Sequence, residues 1–272
     1  MYGVVTRNED EVAWPEFETG FFEMKDVTGR ATTPVEDGVN MISCFGDNAA
    51  VEGDPSLAAV SAAGDPATRD RPYFDWDAVC PTNEAYREGI LEMAEDAVAA
   101  SPDLRLDDIG FPRGEYCHCE RCDRRFADSE FEDRTAWREQ VVTDFVAEVR
   151  ERVPGRLYLT VYPDPYPGHL VERSGVNPER LDAMADEFVV PLYDMAYETT
   201  YWLEVIASGF ADRLDSFSIE LYAIDIDMEN LVKAAEVAEA YAETVVFGYH
   251  AGNARALIRR VRADEREGES FP

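Results

Sequence analysis

Lysine is almost absent from this chain. Only Lys25 and Lys233 occur in 272 residues, and every other basic residue is an arginine. Against 25 Lys+Arg stand 57 Asp+Glu, a formal charge of −32. A surface of that sign argues against a nucleic-acid partner, whose binding depends on basic side chains that neutralise phosphates. The acids are dispersed along the chain and not gathered in a tail. Dispersed acid with so little lysine looks like the composition of a halophilic protein. Its carboxylates hold water and counter-ions, and strong salt screens their repulsion. The competing account is an acidic protein that binds a cationic partner.

Long apolar runs are lacking too. Nothing approaches the ~20 residues of a membrane span. The opening MYGVVTRNEDEV has neither the basic nor the apolar region of a secretory leader. The expectation is a cytoplasmic protein with no membrane partner. The abrupt strand at its start leaves room for an element missing upstream. Histidine is scarce: His118, His169 and His250 are scattered, which disfavours a His-rich catalytic metal centre. No Gly-rich phosphate turn follows a strand, so a nucleotide-binding open sheet has no support.

What is present is globular: 46% hydrophobic and 11% aromatic residues. The length suits a single (β/α)8 barrel domain over residues 1–272. Strands are predicted at 2–6, 39–45, 104–110, 157–162, 188–193, 216–222 and 245–249. Helices are predicted at 83–100, 137–153, 178–186, 200–211, 228–242 and 253–263, the last with Arg259, Arg260 and Arg262 near its C-terminal end. From residue 83 onward helix and strand alternate, and the strands are apolar runs of the kind buried on both faces of a parallel sheet. Seven strands are visible. An (β/α)8 TIM barrel therefore has one strand cryptic in the first 40 residues, or a lacking or reduced N-terminal β/α unit. A doubly wound open sheet is the alternative. Residues 7–37 read as irregular, with Trp14-Pro15 and Phe21-Phe22 as packing anchors, and a long functional loop is expected over 46–81.

In a barrel the active site lies at the C-terminal ends of the strands. Acids fall there on four successive strands: Asp107 with Asp108, then Asp164, Asp194 and Glu220; His250 ends the last strand. Glu220 sits between Ile219 and Leu221, where a carboxylate is costly unless partnered or used. Asp107 and Asp108 alternate in direction, so only one points into the mouth. The other is expected to bond backbone or Arg113. Tyr162, Tyr166, Tyr193, Tyr197, Trp202, Tyr222 and Tyr249 accompany them. Carboxylates bond hydroxyls and cleave glycosides, and aromatic faces stack on sugar rings, so a carbohydrate ligand is expected. The competing account is chance in an acidic chain, where Asp often caps the next helix.

Cys117, Cys119 and Cys122 form C-x-C-x-x-C, too tight for a disulfide framework and suited to chelating one ion. Cys80 offers a fourth thiolate, and four thiolates suit structural Zn2+. His118 stands as a substitute ligand. Free cysteines are the competing account, and Cys44 reads as core.

CPTNEAYR at 80–87, a strand ending in acid, and YCHCERCDRRF at 116–126 together resemble glycoside hydrolase family 42 β-galactosidases and related barrel glycosidases. The segment from Asp54 to Asp65 is similar to the loop that precedes these motifs in such enzymes. The resemblance covers roughly residues 40–126 by motif. It implies that the four cysteines hold zinc, that the strand at 39–45 is the third and that at 104–110 the fourth, and that Glu220 lies on the seventh, where the nucleophile is kept. It also leaves only Tyr2–Thr6 for the first two strands. The family's fourth strand ends in Asn-Glu, whereas Asp107-Asp108 stands here. The implied chemistry is glycoside hydrolysis, with Asp107 or Asp108 as acid/base, Glu220 as second carboxylate, and Arg113, Tyr162, Asp164, Tyr193, Asp194, Tyr197, Trp202, Tyr222, Tyr249 and His250 around the sugar. Two further accounts stay open: a silent barrel that binds a saccharide or another subunit, and a truncated barrel completed as a homo-oligomer.

Overall fold

The computed structural model describes residues 1–269, so the domain read over 1–272 reaches three residues beyond them. Eight parallel strands close into a barrel in sequence order: β1 (Tyr2–Thr6), β2 (Thr19–Lys25), β3 (Val39–Ser43), β4 (Leu104–Asp107), β5 (Leu157–Thr160), β6 (Glu187–Pro191), β7 (Phe217–Tyr222) and β8 (Thr244–Gly248). β1 pairs with both β2 and β8. This is a (β/α)8 barrel, complete within one chain, and its closure needs no second copy.

The strand that stayed cryptic is β2, inside the segment read as irregular. Its alternation carries Phe21 and Glu23 on the inner side and Phe22 and Met24 on the outer. A register shift between Glu23 and Lys25 then moves Lys25 beside Ile42, so charge and irregularity interrupt the apolar run. The reduction of the first units lies in their helices. α1 (Glu9–Val12) is four residues long, and β2 joins β3 with no helix between them.

Alternation sorts each strand. Leu104, Leu106, Leu157, Leu159, Phe188, Val190, Ile219, Leu221, Val245 and Phe247 face the surrounding helices in the main core. Val5, Phe21, Val39, Met41, Tyr158, Val189 and Val246 fill the barrel interior. Residues two further along β2, β5 and β8 than Phe21, Tyr158 and Val246 form the next layer, toward the C-terminal mouth.

The segment after β3 is ordered. It holds α2 (Asn48–Gly53), a short 3₁₀ turn and isolated bridges, among them Ser61 with Tyr116. It then delivers Cys80 to α3 (Glu84–Ala100), which Asn83 caps through Tyr86 N. α4 (Glu120–Ala127) and α5 (Arg134–Arg150) follow β4. α6 (His169–Ser174) and α7 (Pro178–Leu181) follow β5. α8 (Tyr201–Ala211) and α9 (Met228–Glu239) lead on to α10 (Ala251–Glu269). α10 outruns its expected end, so Arg259, Arg260 and Arg262 are mid-helix. They reach Glu16, Glu229 and Glu18 respectively instead of the helix terminus.

Candidate active site and metal centre

Arg105 lies between Leu104 and Leu106, in register with Met41 and Tyr158, so its side chain enters the barrel. It is fully buried and pairs with the equally buried Glu220. Its Nε donates to Thr160 Oγ1 at 3.0 Å, and its guanidinium lies 5.0 Å over the Phe21 ring. Its Nη1 is buried with no partner among the described residues. Burial opposes the charge on Arg105, but Glu220 and then Asp107 outweigh it and raise its pKa. Tyr193 donates to the other oxygen of Glu220. Gly248 makes this possible, because a Cβ there would come within 3.0 Å of Glu220 Oε1.

Asp107 follows Arg105 on the inward face and is half-buried. Burial and then the neighbouring charge of Asp108 push its carboxyl up to about 8, against the pull of Arg105. The protonated form is thereby favoured. Asp108 turns away with a left-handed φ of 51°. It accepts from Ser43 Oγ at 2.6 Å and not from Arg113. Burial raises its pKa, while Ser43 and Lys25 oppose the rise. Lys25 is buried, donates to the carbonyls of Ser43 and Gly46, and lies 3.3 Å from Asp47. A Cβ on Gly46 would meet Asp108 Oδ2 and Trp76 Nε1, each at 2.9 Å.

These two acids line a cleft of about 420 Å³ between the β3, β4 and β5 loops. Tyr73, Trp76, Arg113, Thr160, Tyr162 and Arg173 line it with them. Arg113 lies 5.2 Å over Tyr73, and Arg173 lies 3.9 Å over Tyr162. Tyr222 packs against Tyr193 at 5.5 Å. Tyr249 donates to Glu23 Oε1 at 3.2 Å under Arg7, which itself pairs with Glu23.

The other expected residues lie outside this group. Asp164 caps its own loop and bonds His169 Nδ1 at 3.1 Å. Asp194 accepts from the amides of Ala196 and Tyr197. Tyr197 is buried and ties Leu192 O to Tyr222 N, so its hydroxyl is not open to a ligand. Trp202 packs against the helical core, its Nε1 without a partner among the described residues. His250 is exposed and accepts from Asn253 N at the start of α10. Sequence reasoning missed Glu23 and Arg105. Arg105 gave the same signal as Glu220, a charge between two apolar strand residues.

Cys80, Cys117, Cys119 and Cys122 bring their Sγ atoms within 4.8 Å of one another. Cys80 Sγ is 3.4 Å from Cys122 Sγ and 3.8 Å from Cys119 Sγ. Four thiolates at ~2.3 Å around one ion stand ~3.8 Å apart. Amides of Val60, Cys119 and Cys122 point at the sulfurs at 3.3–3.4 Å, the donors that thiolate charge needs. The donor set fits one metal ion. His118 turns aside, with its Nδ1 3.5 Å from Asp123, and adds no ligand.

The fold and the mouth place the protein among (β/α)8 barrels with a polar, aromatic-walled site over β4. No protein-family profile and no curated protein matches the sequence. Among solved structures it is similar to α-L-fucosidase isoenzyme 2 from Paenibacillus thiaminolyticus, with a TM-score of 0.67 and 13% identity. That match covers 99% of this chain and 50% of the other, so this chain spans about half the length of that enzyme. A GH26 domain of an endo-β-mannanase/endo-β-glucanase from Prevotella bryantii aligns over 95% of this chain and 88% of its own at 8% identity, with a TM-score of 0.45. At 13% identity the likeness to the fucosidase is one of fold.

Proposed function

We propose that the protein is a glycoside hydrolase, one barrel domain over residues 1–272, that cleaves a carbohydrate bound in the cleft above β4. The observation that carries this is Asp107, a carboxyl on the inward face of β4 at the edge of that cleft, whose pKa is raised by burial and by Asp108 beside it. A glycosidic bond breaks when its oxygen is protonated while a second carboxylate supports positive charge at the anomeric carbon. In this reading Asp107 is the proton donor, and Asp108 helps to keep it protonated. Glu220 is the second carboxylate, oriented by Arg105 and Tyr193. Tyr162, Tyr193, Tyr222 and Tyr249 offer ring faces and hydroxyls. Asp164, Asp194 and His250 are rim residues, and Tyr197 and Trp202 support the wall. The barrel's likeness to an α-L-fucosidase supports the reading at the level of architecture.

The four cysteines are proposed to hold a structural zinc ion with no open position for substrate. The charge of −32 is proposed to reflect a halophilic cytoplasmic setting.

One observation favours a second reading, a saccharide-binding barrel without turnover. Both oxygens of Glu220 are bonded by protein groups, and its side chain is fully buried. The test is a screen of aryl glycosides and natural oligosaccharides in molar KCl with the wild type, Asp107→Asn and Glu220→Gln. Hydrolysis abolished in Asp107→Asn supports the hydrolase. Binding without turnover moves the assignment to the second reading, and hydrolysis unaffected by either substitution refutes the residue roles.

A further inference from the structure

In a chain where most arginines are paired with acids, Arg173 has no carboxylate partner among the described residues. It comes from α6, lines the cleft and rests on the face of Tyr162. Arg113 lines the same cleft from the β4 loop, resting on Tyr73, with one long contact of 3.3 Å to the exposed Glu115. A third arginine brings these two together. Arg138 on α5 is buried, and its Nη2 donates to Arg113 O at 3.0 Å and Arg173 O at 2.7 Å. Its Nη1 donates to Gly114 O and Glu172 O, both at 3.1 Å. Two carbonyls on one nitrogen make the two backbones neighbours. A buried guanidinium with no carboxylate in ion-pair contact among the described residues is expensive, and what this one supplies is that juxtaposition. Arg113 and Arg173 both line this one cleft, and cations that share a cleft repel each other until an anion joins them.

The carboxyls that line the cleft are Asp75, Asp107 and Asp108. Burial raises the pKa of both Asp107 and Asp108, and the charge of Asp108 raises that of Asp107 further, which favours their neutral forms and lessens the negative charge of the cleft. Guanidinium forks pair bidentately with oxyanions, and an aromatic face beneath each fork fixes its plane.

We propose that Arg113 and Arg173 form an oxyanion subsite of the cleft, and that the carbohydrate it takes is acidic, bearing a carboxylate or a sulfate ester. This deepens the glycosidase reading and rests on it for the sugar. Molar salt shrinks the screening length to about 3 Å. A direct contact of this kind then survives, whereas the long-range field of the surrounding acids does not.

The test is calorimetric titration of the full chain in molar KCl with uronate oligosaccharides, sulfated oligosaccharides and their neutral counterparts. An acidic member is expected to bind at least about tenfold more tightly than its neutral counterpart. The preference is expected to vanish in Arg113→Gln/Arg173→Gln. Unchanged thermal unfolding checks that the variant is folded, since both side chains are only half-buried. The carboxylate and sulfate arms identify the oxyanion. Equal affinity for neutral sugars, a preference that survives the double substitution, or no binding of any acidic member overturns the subsite. Acidic sugar bound but never cleaved leaves the subsite standing and removes the hydrolase. Asp107-dependent cleavage of a neutral glycoside, unaffected by the double substitution, does the reverse.

Discussion

Asp107 ties activity and stability to pH in opposite senses. As proton donor it works while protonated, so turnover is expected to hold through neutral pH and to fall as pH rises through about 8. Asp107→Asn is expected to lose on the order of 10²–10⁴ in kcat/KM. Its effect on folding has the other sign. A carboxyl whose folded pKa lies above its unfolded value binds more protons in the folded state across the interval between them, so stability falls as pH rises through that interval. Asp107→Asn removes this penalty. Its Tm should exceed that of the wild type at pH 9 and converge with it near pH 4; a variant less stable at pH 9 would count against the raised pKa. Arg105 makes a separate demand. Arg105→Met leaves Glu220 buried without its cation, at a cost of about 3–5 kcal/mol. Adding Glu220→Leu should recover much of that loss in a denaturant titration. Additive losses would show that the pair is not coupled.

At the scale of elements, the cysteine cluster is a clasp. It joins the end of the β3–α3 segment to the loop after β4, where Val60 also bonds Cys117 Sγ and His118 N. If zinc closes it, elemental analysis should find about one zinc per chain. Chelation should lower Tm and expose residues 46–80 to protease well before the barrel is cut, and Cys80→Ser should do the same without a chelator. Protease resistance indifferent to chelation would mean that protein contacts alone hold the segment. The clasp was legible because three cysteines in six residues have few other uses, and β4 and β7 because leucine and isoleucine runs flanked their acids. β2 was not legible, for a physical reason. A strand that ends in buried charges and an irregular register gives up part of its apolar character, so Glu23 and Lys25 hid the strand that positions them. Tyr197 and Trp202 were misplaced for the converse reason. Aromatics at strand ends and helix starts serve the wall as readily as a ligand, and only packing distinguishes the two. Arg138 was silent as well, since an arginine on an amphipathic helix looks solvent-facing until four carbonyls surround it.

At the scale of the whole molecule, charge and topology act together. With a formal −32, self-repulsion is long-ranged in dilute buffer and is cut to about 3 Å in molar salt. Thermal unfolding should therefore shift upward as KCl rises from tenths of molar to molar. A midpoint independent of KCl would remove the halophilic reading. The closed barrel adds a demand in time. β1 meets β8 only after more than two hundred intervening residues have been made. Such sequence-distant pairing is slow, and until β8 docks, β1 offers an open, apolar edge to any other unfinished chain. A nascent barrel of this kind is a candidate for edge-to-edge aggregation on the ribosome. The acids carried by every segment between its first and last strands would hold neighbouring unfinished chains apart while each waits for its own eighth strand.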